Sequence, residues 1–599
     1  MGKVELTGRL FPFLALSLFW ALAAHAQSPL LAPDDARWQA LLRFPKPTAR
    51  SRVEDPKFFL SAERSSSAEL QAVRDHYSNP HFYCRFPARF LYVGERESRP
   101  ALDYSLCPEL RAFTERAPID RLDVVFASEN LTQASSMMGH VLLKMSGTNA
   151  KGIAVEHALS FYTDLGDGNF AKLVYESLLT GKKGYFALSP YAEVKHDYLF
   201  REQRNLWEHE LRLSDFDRRL LAFHLYELKE IEFRYFFHAY NCSTFVFDFL
   251  SVLDPAMRED RGLWVTPLDV VRSVSGRGLV DGTHAVSSSK WRIRSLEGSV
   301  RPDRALRRRV LDPDVVRLEP DATSPERLFL TYELARAVNA YAFESGTLGE
   351  TAWRRREDGL ARAQADLLPD GEIDVSGFKL PSRTAPDSEL SFGARFGSGR
   401  RSLLVGFLPA AHALRATASE YLGEFELALL SPTLRYDVEA RSLRLDSIVV
   451  YSMQSFAPSD ALLPTLSGKF RLGWENRPSR AADFEGGLFA EGGVGKTYRL
   501  LDDIDFYLQL NAGLDQALGG FFAQPETGVF VREVFAMKTQ LSYALTWLPH
   551  VPRSPLRNLT LRQVLPLRRK VLDLSAELRR VDGDERSATL SSLSLHYAF

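Results

Sequence analysis

The sequence has only three cysteines in 599 residues. That excludes a disulfide-dense scaffold, and with no second cysteine pair beside Cys84 and Cys107 there is no zinc-ligand spacing. His140 and His157 do not share a helical face either, so no metal and no other cofactor is implied. Charge of one sign is lacking too: 75 basic residues stand against 76 acidic ones, a net charge of -1, which removes the electrostatic case for nucleic acid. Beyond the N-terminus there is no apolar run of ~18 residues, so no membrane-spanning helix is predicted. The glycines at 181 and 184 lack the spacing of a phosphate-binding loop, and no Lys-Ser/Thr pair opens a helix after them.

What is present begins with an export signal. Lys3 and Arg9 precede an apolar run over residues 10–24, and Ala24-His25-Ala26 supplies the small-x-small pattern for cleavage. Residues 1–26 are therefore expected to be a signal peptide, with the mature chain starting near Gln27 and no cysteine there to make it a lipoprotein signal. An oxidising compartment favours pairing, and Cys84 and Cys107 lie 23 positions apart around a strand-like Phe90-Leu91-Tyr92-Val93. Three pairings of three cysteines are possible. The simplest leaves Cys242 free, and an unpaired thiol in an exported chain is a candidate reactive group.

Residues 27–120 read as helix and loop, with helical stretches at 34–42 and 67–77 and a turn at Ser78-Asn79-Pro80. Strand signals follow at 122–126, 139–145 and 153–161. In the last, Ile153, Val155, His157, Leu159 and Phe161 alternate with Ala154, Glu156, Ala158 and Ser160, which puts His157 on the apolar side. Residues 181–191 read as a turn or the rim of a site, and Ser214 starts a helix expected to reach about 237. Then comes Tyr240-Asn241-Cys242-Ser243-Thr244. Asn241 is a good N-cap, and Cys242, Phe245, Val246, Phe249, Leu250 and Leu253 recur at helical spacing, so the thiol sits in the first turn. Unpaired N–H groups and the helix dipole favour a thiolate there; a buried structural cysteine is the alternative.

Between 255 and 385 the sequence is poor in motifs. Residues 264–274 and 291–296 could be strands or short helices, 304–309 is a basic run on a solvated face, and two helices are expected from Ser324-Pro325 and over 350–368, before a linker at 369–387. From 388 the pattern changes. Segments of about ten residues alternate apolar and polar side chains between turn residues, as in Ile504, Phe506, Leu508, Leu510 and Ala512 against Asp505, Tyr507, Gln509, Asn511 and Gly513. About twelve such segments end on Leu593, Leu595, Tyr597 and Phe599. A soluble β-sandwich or lipid-binding barrel shares this alternation, but the terminal aromatic strand resembles the assembly signal of bacterial outer-membrane barrels.

A cysteine nucleophile needs a base and a group to orient that base. The order His140, His157, Cys242 resembles permuted papain-like folds, and Gly139-His140 with Asn241-Cys242-Ser243-Thr244-Phe245 is similar to the lecithin retinol acyltransferase-like, NlpC-type thiol enzymes. More closely, Ser135-Ser136-Met137-Met138-Gly139-His140, Gly184-Tyr185-Phe186, Pro190-Tyr191, Trp207-Glu208 and Asn241-Cys242-Ser243-Thr244 resemble the Lnb-type N-terminal periplasmic domain of bacterial envelope proteins, over residues 120–255. The resemblance implies an α+β permuted papain-like domain and thioester chemistry: N-acylation of lipoproteins, with a phospholipid acyl chain passing through Cys242 and His140 acting as base. His157 is the third group on strand geometry, with Glu156 as runner-up. Asn241 and Ser243 support the site, and backbone N–H groups at Cys242 and Ser243 would form an oxyanion site worth ~3 kcal/mol.

The expected layout is a signal peptide (1–26), a periplasmic thiol-enzyme domain (27–300), a helical insertion and linker (301–387) and an all-β antiparallel outer-membrane barrel (388–599). The expected partners are the outer-membrane bilayer, its phospholipid and a lipoprotein N-terminus. A peptidoglycan amidase or endopeptidase with the same residues, and an envelope or transport barrel without enzymatic activity, remain open alternatives.

Overall fold

A computed structural model describes residues 30–45, 49–129, 138–163, 176, 180–236, 240–262, 264–318, 324–365, 367, 378–397, 399–416, 420–478, 484–549, 555–583 and 586–599. The chain opens with helices α1 (Ala36–Leu41), α2 (Ser66–Asp75), α3 (Pro80–Tyr83), α4 (Pro87–Arg96) and α5 (Pro108–Arg116). Phe90 to Val93, read as strand from their composition, lie inside α4. Proline at its first position and burial of Ala88, Arg89, Phe90, Tyr92 and Val93 fix it as a helix against the core. Cys84 and Cys107 form the disulfide, with Cα atoms 5.2 Å apart, and Cys242 is free. Arg89 is fully buried between Glu69 (2.7 Å) and Glu227 (3.2 Å), which satisfies a charge that would otherwise be costly in the core.

A seven-stranded antiparallel sheet follows: β1 (Arg121–Ala127), β2 (His140–Thr148), β3 (Ala154–Thr163), β4 (Lys182–Pro190), β5 (Leu206–Leu211), β6 (Phe233–Tyr235) and β7 (Val280–Val286), in the order β6-β4-β3-β2-β1-β5-β7. The stretch 182–190, expected as a turn or rim, is strand paired with β3 from Gly184 to Pro190. The two faces divide by parity. Val141, Leu143, Leu159 and Phe161 enter the main core, while Leu142 and Ala158 pack on the opposite face with Tyr191, Leu199 and Leu206. Helix α6 (Tyr191–His196) and the π-helical turn Asp197–Arg201 that follows it cover that second face. Helices α7 (Asp215–Leu228), α8 (Cys242–Leu250) and α9 (Pro267–Gly276) contribute to the main core.

Beyond the sheet, α10 (Ser289–Val300), α11 (Arg304–Leu311), α12 (Pro325–Glu344) and α13 (Glu350–Ala365) form a helical layer. Its core joins Ile293, Leu296, Tyr332, Leu334 and Leu360 to Leu462 and Leu463. Residues 264–274 and 291–296, left open between strand and helix by the sequence, fall largely within α9 and α10.

The remaining strands are β8 (Glu389–Gly397), β9 (Arg400–Leu408), β10 (Ala410–His412), β11 (Glu424–Asp437), β12 (Ser442–Phe456), β13 (Ser467–Pro478), β14 (Phe484–Leu501), β15 (Ile504–Asp515), β16 (Gly520–Arg532), β17 (Lys538–Thr546), β18 (Leu556–Arg568), β19 (Leu572–Asp582) and β20 (Ser587–Ala598). Pairing of β20 with β8 and of β9 with β11 closes twelve of them into an antiparallel barrel, with short β10 continuing β9 along β11. The alternation read in the sequence is the inside-outside alternation of the wall. Tyr507, Gln509 and Asn511 are buried, while Leu508 and Leu510 between them are 50% and 60% exposed. Among the described residues no helix is long and apolar enough to cross a membrane; the apolar outer belt belongs to the strands.

The lumen is filled with ion pairs, including Arg477 to Glu491 (2.9 Å) and to Asp515 (3.1 Å), and Arg562 to Glu577 (2.7 Å). Glu424 on β11 meets Lys538 on β17, six strands away round the ring and so on the opposite wall. The N-terminal domain sits at the barrel end that carries residues 388 and 599. There the Thr266 hydroxyl donates to Asp387 (2.6 Å), Arg294 pairs with Asp460 and Arg294 Nη2 donates to the Pro458 carbonyl (2.6 Å).

Candidate functional site around Cys242

Helix α8 starts where Asn241 caps it. The Thr244 N–H donates to Asn241 Oδ1 (3.1 Å), and the Asn241 N–H donates back to Thr244 Oγ1 (2.6 Å). Its apolar face is fixed on the sheet by Phe245, which stacks on Phe161 (centroids 4.9 Å apart) and on Phe186 (5.8 Å). This anchoring brings the first turn of α8 to the start of β2. The backbone N–H groups of Val141, Ser243 and Cys242 itself act on the Cys242 sulfur so as to lower its pKa, and the sulfur lies 3.9 Å from the Ser243 hydroxyl. Donors acting on the sulfur favour its thiolate form, and they stand beside the place a carbonyl under attack would occupy. The Val141 donor comes from a different strand and carries no sequence signal.

Burial nevertheless dominates the thiol's titration. It pushes the Cys242 pKa above its ordinary value of 9.0, and the surrounding donors offset this only in part. The expectation that the helix start alone makes a thiolate is therefore corrected: the resting group is a thiol. His140, next to Val141, is half-buried; burial first and the Arg204 charge second bring its pKa down to about 4. The resting pair is neutral thiol and neutral imidazole. Among the described residues no hydrogen bond joins Cys242 to His140. Tyr198 lies between their surroundings, its ring 6.3 Å from that of His140 and within electrostatic reach of the sulfur.

Gly139 sets the approach of His140. At φ +81° it occupies backbone space that favours glycine, and a Cβ there would stand 2.6 Å from the Phe126 ring and 2.8 Å from the Ala127 carbonyl oxygen. Across the strand, Ala127 pairs with His140, and the Arg204 guanidinium donates to the carbonyls of Ala127 (3.1 Å) and Ser128 while lying 4.7 Å from the Tyr198 ring centre. Tyr198 and Arg204 are thus the polar neighbours of His140. Sequence reasoning missed both, since they come from a π-helical turn and the loop after it, whose direction no periodicity reveals.

The histidine chosen as third group is not brought to this place. Antiparallel register sets His157 opposite Met145, five residues along β2 from His140, or ~17 Å at strand rise. Its Nδ1 has no hydrogen-bond partner among the described residues, and burial and Arg116 lower its pKa. Glu156 is exposed and pairs with Lys144 (3.0 Å) on the other face. Both assignments to the catalytic group are corrected on this geometry. Ser135, Ser136, Met137 and Phe237 lie outside the described residues. Among the described residues no group of three or more His, Cys, Asp or Glu could hold a metal ion.

With this geometry in hand, comparison with known proteins is informative. Residues 109–277 match the family model described as the Lnb N-terminal periplasmic domain. Residues 380–597 and 32–96 each match a domain of unknown function, DUF7840 and DUF7843 respectively. The search of curated proteins finds no match. Among solved structures, the KdgM porin in complex with disordered oligogalacturonate is 9% identical, covering 35% of this chain and 99% of the porin, with a TM-score of 0.24. The COG4313 outer membrane channel from Pseudomonas putida F1 is 10% identical, covering 38% of this chain and 100% of that one, also with a TM-score of 0.24. Taken together, the periplasmic domain match and the closed barrel with its apolar outer belt make this an outer-membrane protein with a periplasmic N-terminal domain.

Proposed function

We propose that this chain, an Lnb-type N-terminal periplasmic domain on a twelve-stranded outer-membrane barrel, is a periplasmic thiol acyltransferase that N-acylates lipoproteins through a thioester on Cys242. The observation that carries the reading is the free thiol at the start of α8, 3.9 Å from the Ser243 hydroxyl and acted on by backbone N–H groups, one of them from Val141 on the strand of His140. In the first half-reaction the sulfur attacks an ester carbonyl of a phospholipid while His140 accepts the thiol proton. The carbonyl oxygen becomes an oxyanion held by the N–H groups around the sulfur. Collapse breaks the ester C–O bond, the imidazolium returns its proton to the glycerol oxygen, and a lysophospholipid leaves. In the second half-reaction the α-amino group of a lipidated cysteine attacks the thioester. The C–S bond breaks, an amide forms, and the amine's proton reaches the departing sulfur through His140.

A proton moves directly from thiol to imidazole only within hydrogen-bond reach, so His140 closes on Cys242 in the loaded enzyme; such contacts commonly tighten on substrate binding. Its low pKa keeps the imidazole neutral at ordinary pH but makes it a weak base for a thiol whose own pKa is raised, so the transfer depends on the bound substrate bringing His140 and Cys242 together and on attack proceeding as the proton moves. The test is mass spectrometry of lipoprotein N-termini from cells with and without the gene. Triacylated N-termini that need the gene, and are lost in Cys242→Ala, support the reading. Unchanged N-termini overturn it, and muropeptides from the same cells then test the amidase alternative.

A further inference from the structure

The outward-facing wall of a membrane barrel normally meets lipid, but one part of it here is covered by the thiol domain. On β11 and β12 the lumen side is marked by Glu426, whose carboxylate accepts from Gln454 (3.0 Å) and Ser452. Phe425, Leu427, Leu429, Tyr451 and Met453 alternate with those residues and face outward. Phe425 and Leu427 are buried under Met138 and Tyr421, and Leu429 under Trp264 and Met138. The patch ends in the open belt: Tyr451 lies 5.7 Å from the Phe470 ring, which is 39% exposed. Met138 is three residues from Val141, whose N–H borders the sulfur, so the lipid-facing wall comes within roughly 10 Å of the thiol along the chain.

A cavity of about 380 Å³ lies in the same seam, lined by Ser128, Glu129, Lys290, Trp291, Tyr421 and Phe425 among others. Ser128 and Glu129 directly follow Ala127, the strand partner of His140. Glu202, Glu420 and Glu424 also line it. Glu202 is paired with Arg204 (2.8 Å) and Glu424 with Arg532 (3.0 Å), and Glu420 acts electrostatically on Lys379. Lys290 makes no ion pair among the described residues, and burial first and the Arg294 charge second lower its pKa, so an anion beside it would restore the balance of charge. An apolar wall continuous with the bilayer, an unpaired cation and a cavity within the size range of ligand sites together fit a molecule with an acyl chain and an anionic head.

We propose that the seam between the periplasmic domain and the outer wall of β11 and β12 is a lateral entrance for a membrane glycerophospholipid. Its acyl chain enters by parting Met138 from Phe425 and Leu427, which close the seam at rest, and its phosphate faces Lys290 in the cavity. The fate of the chain at Cys242 rests on the acyl-transfer reading; the binding of the lipid does not. The test uses the full-length Cys242→Ala protein in phosphatidylcholine vesicles containing a phosphatidylcholine with a photoactivatable group in mid-chain, followed by peptide mapping. Crosslinks at least fivefold denser on peptides bearing Met138 and Met453 than on the opposite belt at Leu541 and Leu561 support the entrance. Uniform labelling round the belt overturns it.

On an otherwise native chain, Met138→Glu should slow acylation of Cys242 from vesicle phospholipid roughly tenfold. Alkylation of Cys242 by a water-soluble reagent should not change; a fall in both would make Met138 structural and overturn its role. Lys290→Gln should remove any preference for the phospholipid probe over a diacylglycerol probe, and a preference that persists overturns the phosphate assignment. Dense crosslinks at the seam without any acylation of Cys242 would refute the acyl-transfer reading alone. Acylation with uniform crosslinks would refute the entrance alone.

Discussion

The titration state of Cys242 gives the sharpest physical prediction. Many thiol enzymes hold a ready-made thiolate beside a protonated histidine, and a thiol of pKa ~5 would be almost fully ionised at pH 7. Here burial raises the Cys242 pKa above 9.0, and burial with Arg204 lowers His140 to about 4, so both shifts oppose an ion pair. With a pKa of 9 the thiolate fraction at pH 7 is about 1%, and it rises tenfold per pH unit below the pKa. The assay is the rate of Cys242 alkylation by a small maleimide between pH 5.5 and 8.5 on detergent-solubilised protein, read by mass spectrometry. Cys84 and Cys107 are paired and do not interfere. The rate should climb roughly 10³-fold across that window without a plateau. A rate that is flat between pH 6 and 8, about thirtyfold above that of a free thiol at pH 7, would refute the neutral pair.

Replacing Gly139 with Ala sets a methyl group against the Phe126 ring and the Ala127 carbonyl in positive-φ backbone; a loss of about 1–3 kcal/mol in stability and a severe loss of acylation are expected, read by thermal melting and labelling of the thiol with substrate. Opening the Cys84–Cys107 loop with paired alanines should cost about 3 kcal/mol, lowering the melting temperature of the periplasmic domain while leaving Cys242 as reactive as before. Asp387 and Glu129 at the junction have pKa values pushed up to about 6 and about 7, in each case chiefly by burial. A raised acid stabilises the fold below its unfolded pKa, and that contribution is lost as pH rises through the folded value. Melting should therefore occur at higher temperature at pH 5 than at pH 8, and Asp387→Asn with Glu129→Gln should flatten the difference.

Much of the architecture was legible because each signal had one dominant cause. The barrel alternation is imposed by lipid on one side and water on the other, so Leu508 and Leu510 could be told from Gln509 and Asn511 by composition alone. The start of α8 was legible because Asn241 and Thr244 form a local cap. His157 shows where such reasoning stops. Its face of β3 carries Leu159 and Phe161 into the core, as the alternation indicated, but the register that sets it opposite Met145 depends on two strands at once. Phe90 misled because aromatic and β-branched residues also line buried helices, and Pro87 was the overlooked start signal. The thiolate expectation failed because the helix N-terminus acts on a group that burial controls more strongly.

The central claim is a thioester on Cys242, and intact and peptide mass spectrometry of the purified protein after incubation with phospholipid vesicles tests it most directly. The account predicts one acyl chain on the Cys242 peptide, removed by neutral hydroxylamine, with an equal release of lysophospholipid and no adduct on Cys242→Ala. An unmodified Cys242 after exposure to phospholipid, in protein whose thiol still alkylates normally, would contradict it.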